Sequence, residues 1–271
     1  MKRLFALAIC VLLLLCSCNI GENQTPPSCF VDILDVGKAD CIVIGTGTKI
    51  VMIDTGEAEN LPTIISYLTE KEISKIDTLI LTHFDKDHIG CASKIISDYG
   101  VTSVIESSFS SSSEDYVSYH NTLSSLGIEP LKLTENYSFS YDDCDFTIDV
   151  PKKTKYKQKE SNNSSLIISL ECGERRLLFC GDAMELRLSE FIDTSPQKYD
   201  FVKLPYHGNY LENYRELLDK VMPTYGAITC SKKNPASPDT LALLDEYGVE
   251  VYQTRYGTIS FSIEENKISF K

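Results

Sequence analysis

Short apolar runs broken by glycine, proline and polar clusters dominate the chain, and most have strand length. Residues 30–37, 41–45 and 49–53 read as three strands joined by short turns, Gly45-Thr46-Gly47 being one, which implies antiparallel hairpins. Leu61, Ile64, Ile65 and Leu68 fall at helical spacing behind an early Pro62, so residues 60–70 read as a helix. A strand over 76–81 follows. Ile89, Cys91 or Ala92, Ile95 and Ile96 then mark a helix that ends near Gly100, and 101–105 is another strand. The serine-rich stretch 107–113 is a loop and 116–126 a helix, with short strands over 131–150. Strands over 166–170 and 176–180, a helix over 184–192 and a strand over 200–206 come next. A strand over 225–230, a helix over 239–247 and strands over 249–252 and 258–261 close the chain. There is no internal repeat, but the order suggests two halves, each of strands then helix. Pattern alone gives α+β or mixed α/β.

The strand over 76–81 runs into Thr82-His83-Phe84-Asp85-Lys86-Asp87-His88-Ile89-Gly90. His83, Asp85, Asp87 and His88 thus fall on the loop that leaves a buried strand, where function is commonly placed. Imidazole nitrogens and carboxylate oxygens converging from a tight loop can hold a divalent metal, or two neighbouring ones. The plainer reading, a polar turn with Asp85 or Asp87 capping a helix, does not call for two histidines. Farther on, the strand 176–180 ends in Gly181-Asp182, where glycine permits close backbone approach and the carboxylate can bridge two cations. The strand 200–206 leads to His207-Gly208, and His207 can bind metal, donate a proton or serve as a structural histidine. Asp54, at the end of the third strand, either orients the metal loop from behind the ligands or satisfies turn amides. Asp40 carries a weaker version of the same reading. His120 reads as a solvent-facing helical residue rather than a ligand. The serine loop lacks the strand–turn–helix elbow of a serine nucleophile.

Length and composition narrow this picture. The 271 residues suffice for one large domain, and 42% hydrophobic residues provide a core. The formal charge of −13 opposes broad contact with nucleic acid, which needs positive surface, but leaves room for a local basic site. Such a site is offered by residues 151–160, the one concentrated basic run, where Lys152, Lys153 and Lys155, with the adjacent Asn163, are candidates for contact with an anionic substrate. A solvated loop is the plainer reading. At the N-terminus, Lys2, Arg3 and the apolar stretch 4–15 read as an export leader over residues 1–18, too short for a comfortable membrane span. Residues 19–29 read as a tether, and 30–271 as the folded domain. Seven of the ten cysteines follow Cys18, with no Cys-x-x-Cys spacing. Cys41, Cys91, Cys172 and Cys180 lie in or beside apolar runs, and most of them read as small buried hydrophobes. Export permits disulfides, and an odd count leaves at least one thiol over.

The run Thr-His-x-Asp-x-Asp-His-x-Gly at 82–90 resembles the signature loop of the metallo-β-lactamase superfamily, most members of which carry His-x-His-x-Asp-His. With Asp85 at the second ligand position it is similar to the ComEC-type hydrolase domains. Asp-Val-Gly-x-x-Asp at 35–40, Ile-Asp-Thr-Gly at 53–56, Asn-Asn-Ser-Ser-Leu at 162–166 and Lys-Leu-Pro-Tyr-His-Gly at 203–208 share that similarity. The resemblance implies a four-layer αβ/βα sandwich, an α/β fold. It implies that His83, Asp85, Asp87, His88, Asp182 and His207 hold one or two divalent ions, zinc or manganese, with the oxygen-rich set suiting manganese. Asp87 and His207 are then the candidate proton-transfer residues. Leu15-Cys16-Ser17-Cys18 resembles a lipobox, which implies lipidation of Cys18 and a protein lipid-anchored on the outer face of a bacterial membrane, or secreted. The departures are three. Tyr206 stands where ComEC-type domains carry a first histidine, Ser237 precedes Pro238 where relatives show His-Pro, and no histidine lies near 162–166.

Two functions of different class follow. One is a metal-dependent hydrolase of phosphodiesters, such as extracellular DNA, or of another anionic or small ester. The other is an exported metal- or ligand-binding lipoprotein with a catalytically weak site. No protein partner is inferred.

Overall fold

The computed structural model describes residues 29–194 and 197–271. The leader, Cys18 and residues 19–28 of the tether lie outside the described residues.

The first half of the chain builds β1 (Cys29–Ile33), β2 (Ile42–Gly45), β3 (Ile50–Ile53), α1 (Leu61–Glu70), β4 (Thr78–Leu81), α2 (Lys86–Ile89), α3 (Ala92–Asp98), β5 (Ser103–Ser107), α4 (Glu114–Leu126) and β6 (Leu131–Leu133). There follow β7 (Tyr137–Tyr141), β8 (Cys144–Asp149), α5 (Glu160–Asn163), β9 (Ile167–Cys172), β10 (Arg175–Phe179), α6 (Glu185–Thr194) and β11 (Phe201–Lys203). The chain ends with α7 (Tyr214–Val221), β12 (Tyr225–Ile228), α8 (Pro238–Glu246), β13 (Glu250–Gln253), β14 (Ile259–Glu264) and β15 (Lys267–Phe270). Among the described residues no helix is long and apolar enough to cross a membrane.

The strands form an eight-stranded sheet, β15-β14-β1-β2-β3-β4-β5-β6, and a seven-stranded sheet, β13-β12-β11-β10-β9-β8-β7. The expected hairpins are present: β1, β2 and β3 pair antiparallel, and β4 then joins β3 in parallel after the α1 crossover. Because successive strand residues face opposite sides, the central strands feed two cores. Ile80 of β4 and Leu177 and Phe179 of β10 point into a core between the sheets, with Phe146, Phe201 and Phe261. Leu79 and Leu81 pack outward against Ile64 and Leu68 of α1, Ile95 and Ile96 of α3 and Leu123 of α4. On the other sheet Leu178, Val202 and Ile228 pack outward against Leu188 of α6, Leu217 and Leu218 of α7 and Leu244 of α8. Two sheets face to face with helices outside give the four-layer αβ/βα sandwich.

Several expectations need correction. The strand read over 200–206 stops at Lys203, because Pro205 lacks the N–H that further pairing requires. Residues Pro205–Gly208 instead form a tight turn with Tyr206 and His207 at φ 50° and 52°. The closing strand is longer than read, and β15 pairs with β14 through a turn in which Glu265 and Asn266 both have positive φ. Cys172 is not a lone buried thiol: it is bonded to Cys144, its direct antiparallel neighbour across β8 and β9. Cys41, Cys91 and Cys180 are free and buried, as are Cys29 and Cys230. Cys29, read as the last residue of the tether, belongs to β1.

Candidate metal centre

The candidate ligands come together at the ends of strands from both halves. β4 ends at Leu81 and delivers His83; Asp85 precedes α2, which carries Asp87 and His88. Asp182 follows the end of β10 and His207 sits in the turn after β11. Asp87, His88, Asp182 and His207 each offer a ligand atom within 4.8 Å of the others. His207 Nε2 lies 3.2 Å from Asp87 Oδ2 and 3.3 Å from Asp182 Oδ2, and His88 Nε2 lies 3.5 Å from Asp182 Oδ1. His83 adjoins this group, its ring centroid 4.0 Å from that of His88, and its Nε2 is 3.6 Å from Asp85 Oδ2.

Hydrogen bonds on the far side of each ring dictate which nitrogen faces the centre. Asp54 accepts from the Thr82 amide at 2.8 Å and the Thr82 hydroxyl at 2.7 Å, and its Oδ2 lies 2.7 Å from His88 Nδ1. A carboxylate only accepts, so His88 Nδ1 carries the proton. The Thr82 hydroxyl has spent its one proton on Asp54, so at 3.1 Å it accepts from His83 Nδ1. Thr229 donates to Asp40 Oδ1 at 2.6 Å and by the same logic accepts from His207 Nδ1 at 3.0 Å. All three imidazoles therefore present Nε2 inward.

Those three Nε2 atoms and Asp182 Oδ1 are buried and have no hydrogen-bond partner. Orphaned buried polar atoms are rare and costly. Four of them converging, each from a residue type that binds divalent metals, fit one or two such ions.

The electrostatics agree. Burial disfavours the charged form of His88, but the Asp54 and Asp182 carboxylates outweigh it and raise its pKa well above the ordinary value. Burial likewise opposes charge on His207, and Asp182, Asp87 and Asp40 together raise its pKa. Asp182 and Asp87 are pushed up by burial and pulled down further by His207 and His88, to a net lowering. Protons on the imidazoles thus do in part what a cation would do better.

Backbone shape serves the same end. Asp54 holds φ 57°, which turns its side chain under the ligand loop. A Cβ on Gly90, the last residue of the loop motif, would come within 2.4 Å of the Ala58 amide nitrogen and 2.7 Å of the Glu57 backbone. Only glycine lets the loop rest on that segment, where Gly90 N donates to Gly56 O at 2.8 Å.

The remaining candidates fall elsewhere. Asn163 is buried and faces away: its Nδ2 donates to Gln158 O at 3.2 Å and its Oδ1 accepts from Arg187 N at 3.1 Å. It is the neighbouring residues that touch the centre, Asn162 Nδ2 lying 3.4 Å from Asp182 Oδ2 and the Ser161 hydroxyl donating to Asp85. Lys152, Lys153 and Lys155 are exposed on the loop that leads into α5. Glu190 holds that loop, accepting from Lys152 N at 3.0 Å and from the hydroxyl of the buried Tyr156 at 2.7 Å. His120 faces Glu106, at 3.6 Å, and Ser237 caps α8 by accepting from Asp239 N. Sequence reasoning gave no individual role to Lys203 and Asn162, though both lie in motifs quoted above, and passed over Thr229 and Ser161. Lys203 also carried a physical signal, a cation inside the apolar run Phe201-Val202-Lys203-Leu204, which demands a buried partner.

Comparison with known proteins follows the same lines. The family model described as the metallo-beta-lactamase superfamily matches residues 34–229. ComE operon protein 3 of Bacillus subtilis is 28% identical over 256 residues, 85% of this chain and 32% of its own length. Recombination protein 2 of Haemophilus influenzae is 26% identical over 234 residues, 83% of this chain and 27% of its own. The chain therefore spans about a third of the length of these relatives. Among solved structures, the metallo-beta-lactamase fold protein YhfI of Bacillus subtilis superposes with a TM-score of 0.57 at 12% identity, covering 86% of this chain and 99% of that one.

Proposed function

The chain belongs to the metallo-beta-lactamase superfamily of metal-dependent hydrolases, and we propose that it is a phosphodiesterase acting on an anionic ester such as a nucleic acid strand. The observation that carries this reading is the set of orphaned atoms, Nε2 of His83, His88 and His207 with Asp182 Oδ1, facing a cluster of carboxylates.

His83, Asp85, Asp87, His88, Asp182 and His207 would hold one or two divalent ions. An ion there supplies Lewis-acid activation of water and of a phosphoryl oxygen. The chain's own residues do the rest. Asp182 and His88 are nearly closed to solvent, whereas the Asp87 side chain is 21% exposed and that of Asp85 40%. Substrate enters on that open side. Asp87, whose carboxylate lies 3.2 Å from His207 Nε2 on that open side, would accept the proton released when water attacks. The carboxylate share of the set suits manganese at least as well as zinc.

Support for an anionic substrate comes from Lys152, Lys153 and Lys155. They stand exposed on a loop fixed by Glu190, and that loop runs directly into the α5 residues that touch Asp85 and Asp182. In a chain of net charge −13 this basic ramp is local. The leader over residues 1–18 would place the enzyme outside the cell, anchored through Cys18.

The test is hydrolysis of bis-p-nitrophenyl phosphate and of a single-stranded oligonucleotide with manganese, with zinc and with chelator. The proposal expects metal-dependent cleavage that falls at least a hundredfold in Asp182→Ala. Metal-loaded protein that cleaves neither substrate contradicts it.

A further inference from the structure

We infer that Asp40, with Lys203 and Thr229, is the joint that makes two halves of the chain share one metal centre, acting as a set of positioning residues for His207 and Asp182. The inference rests on the metal-centre reading above and adds residues which that reading does not use.

Asp40 lies in the loop between β1 and β2, in the first half, and is 1% exposed. Its main chain is fixed to the ligand loop and to the turn after β3: Asp40 N donates to Asp87 O at 3.1 Å, and Asp40 O accepts from Gly56 N at 2.8 Å. Its side chain crosses to the second half. One carboxylate oxygen accepts from Thr229 Oγ1 at 2.6 Å, and the other forms an ion pair with Lys203 Nζ, 163 residues away. Lys203 Nζ also donates to Gly181 O at 3.2 Å, the carbonyl that immediately precedes Asp182. Lys203 and Thr229 are fully buried.

Three consequences follow. First, both Asp40 oxygens are engaged by buried donors of the second half, so its carboxylate anchors that half beside Asp182 and the imidazoles. Second, the Thr229 hydroxyl is a one-way connector. Its proton goes to Asp40, so it accepts from His207 Nδ1, which also lies 3.5 Å from Asp40 Oδ1, and this turns Nε2 toward Asp87 and Asp182. This matters because His207 sits at φ 52°, in a turn that by itself does not specify the ring's tautomer. Third, Lys203 neutralises Asp40 and holds the Gly181 carbonyl, so one buried cation sets the positions of two ligands on different strands. Groups that orient a ligand's far nitrogen typically change metal affinity 10- to 100-fold.

The decisive variant is Thr229→Val, which keeps the shape of the side chain and deletes only the hydroxyl. Manganese and zinc dissociation constants are measured by titration, and the His207 tautomer is read from its ¹⁵N chemical shifts in metal-free protein at alkaline pH, where the ring is neutral. The expected result is affinity weakened roughly 10- to 100-fold, loss of the fixed His207 Nδ1–H signature and recovery of both in Thr229→Ser. Asp40→Asn should weaken affinity at least as much. Wild-type affinity and an unchanged His207 signature in Thr229→Val would overturn the inference. A wild-type chain that binds no divalent ion would instead fail the metal-centre reading. The tautomer measurement still judges the joint in that case.

Discussion

His88 Nδ1 and Asp54 Oδ2 lie 2.7 Å apart, both side chains fully closed to solvent. The same Asp54 oxygen accepts from Thr82, which in turn accepts from His83, so one carboxylate fixes two imidazoles. Asp54→Asn retains the size of the side chain and tolerates the positive φ, but its carboxamide cannot accept at both ends. Metal affinity should fall by about 10- to 100-fold. Asp54→Ala also leaves the Thr82 and His88 donors without a partner, at a cost of about 1–3 kcal/mol for each group stranded. Metal titration separates the first effect, and the midpoint of chemical denaturation measures the second.

The charge arrangement makes stability depend on pH in a direction that metal reverses. In metal-free protein His88 and His207 have raised pKa values, so their contribution is complete below the ordinary value of 6.5 and is lost as pH rises through the higher folded values. Asp87 and Asp182 have lowered values, so their contribution is present above 3.8 and is lost as pH falls through the lower folded values. Without metal the centre therefore favours the mildly acidic range. A bound cation must displace the imidazole protons, so metal affinity should weaken steadily from pH 8 to pH 5. Melting temperatures across that range, with chelator and with manganese, should diverge most at the alkaline end. Curves that stay parallel would contradict this linkage.

Much of this was legible in the sequence. The strand over 76–81 and its His-x-Asp-x-Asp-His loop, the Gly-Asp after an apolar strand and the period-two cores all follow from local pattern. Asp54 behind the loop was one of two readings, and the structure shows it bonded to Thr82 and His88. What stayed hidden depends on register between distant segments. The Cys144–Cys172 bond exists because those residues fall opposite each other across β8 and β9, which spacing cannot reveal. Asp40 and Lys203 meet across 163 residues. Asn162 rather than Asn163 reaches Asp182 because the short helix α5 turns consecutive side chains to different sides, where an extended reading gave no basis for choosing.

Arg187 carries a structural role beside the centre. Fully buried, it donates from Nε to Ser165 O at 2.9 Å and from Nη2 to Asp149 Oδ1 at 2.6 Å, and so ties α6 to the ends of β8 and β9. Ser165 in turn accepts from the Asp182 amide at 3.2 Å. Arg187→Met removes the donor to the buried Ser165 carbonyl and to Asp149, whose part-exposed carboxylate keeps Asn136 at 3.2 Å, at a cost of about 1–3 kcal/mol for each buried group stranded. Guanidinium denaturation measures the loss. At temperatures where the variant is folded, metal binding should persist, because no ligand has been removed.

The account stands most directly on the metal content of the chain. Protein purified without chelators and equilibrated with manganese or zinc should contain one to two divalent ions per chain by elemental analysis, and Asp182→Ala and His88→Ala should each hold fewer. A folded wild-type chain that retains no ion under those conditions, or an Asp182→Ala chain that retains the full wild-type complement, would contradict it.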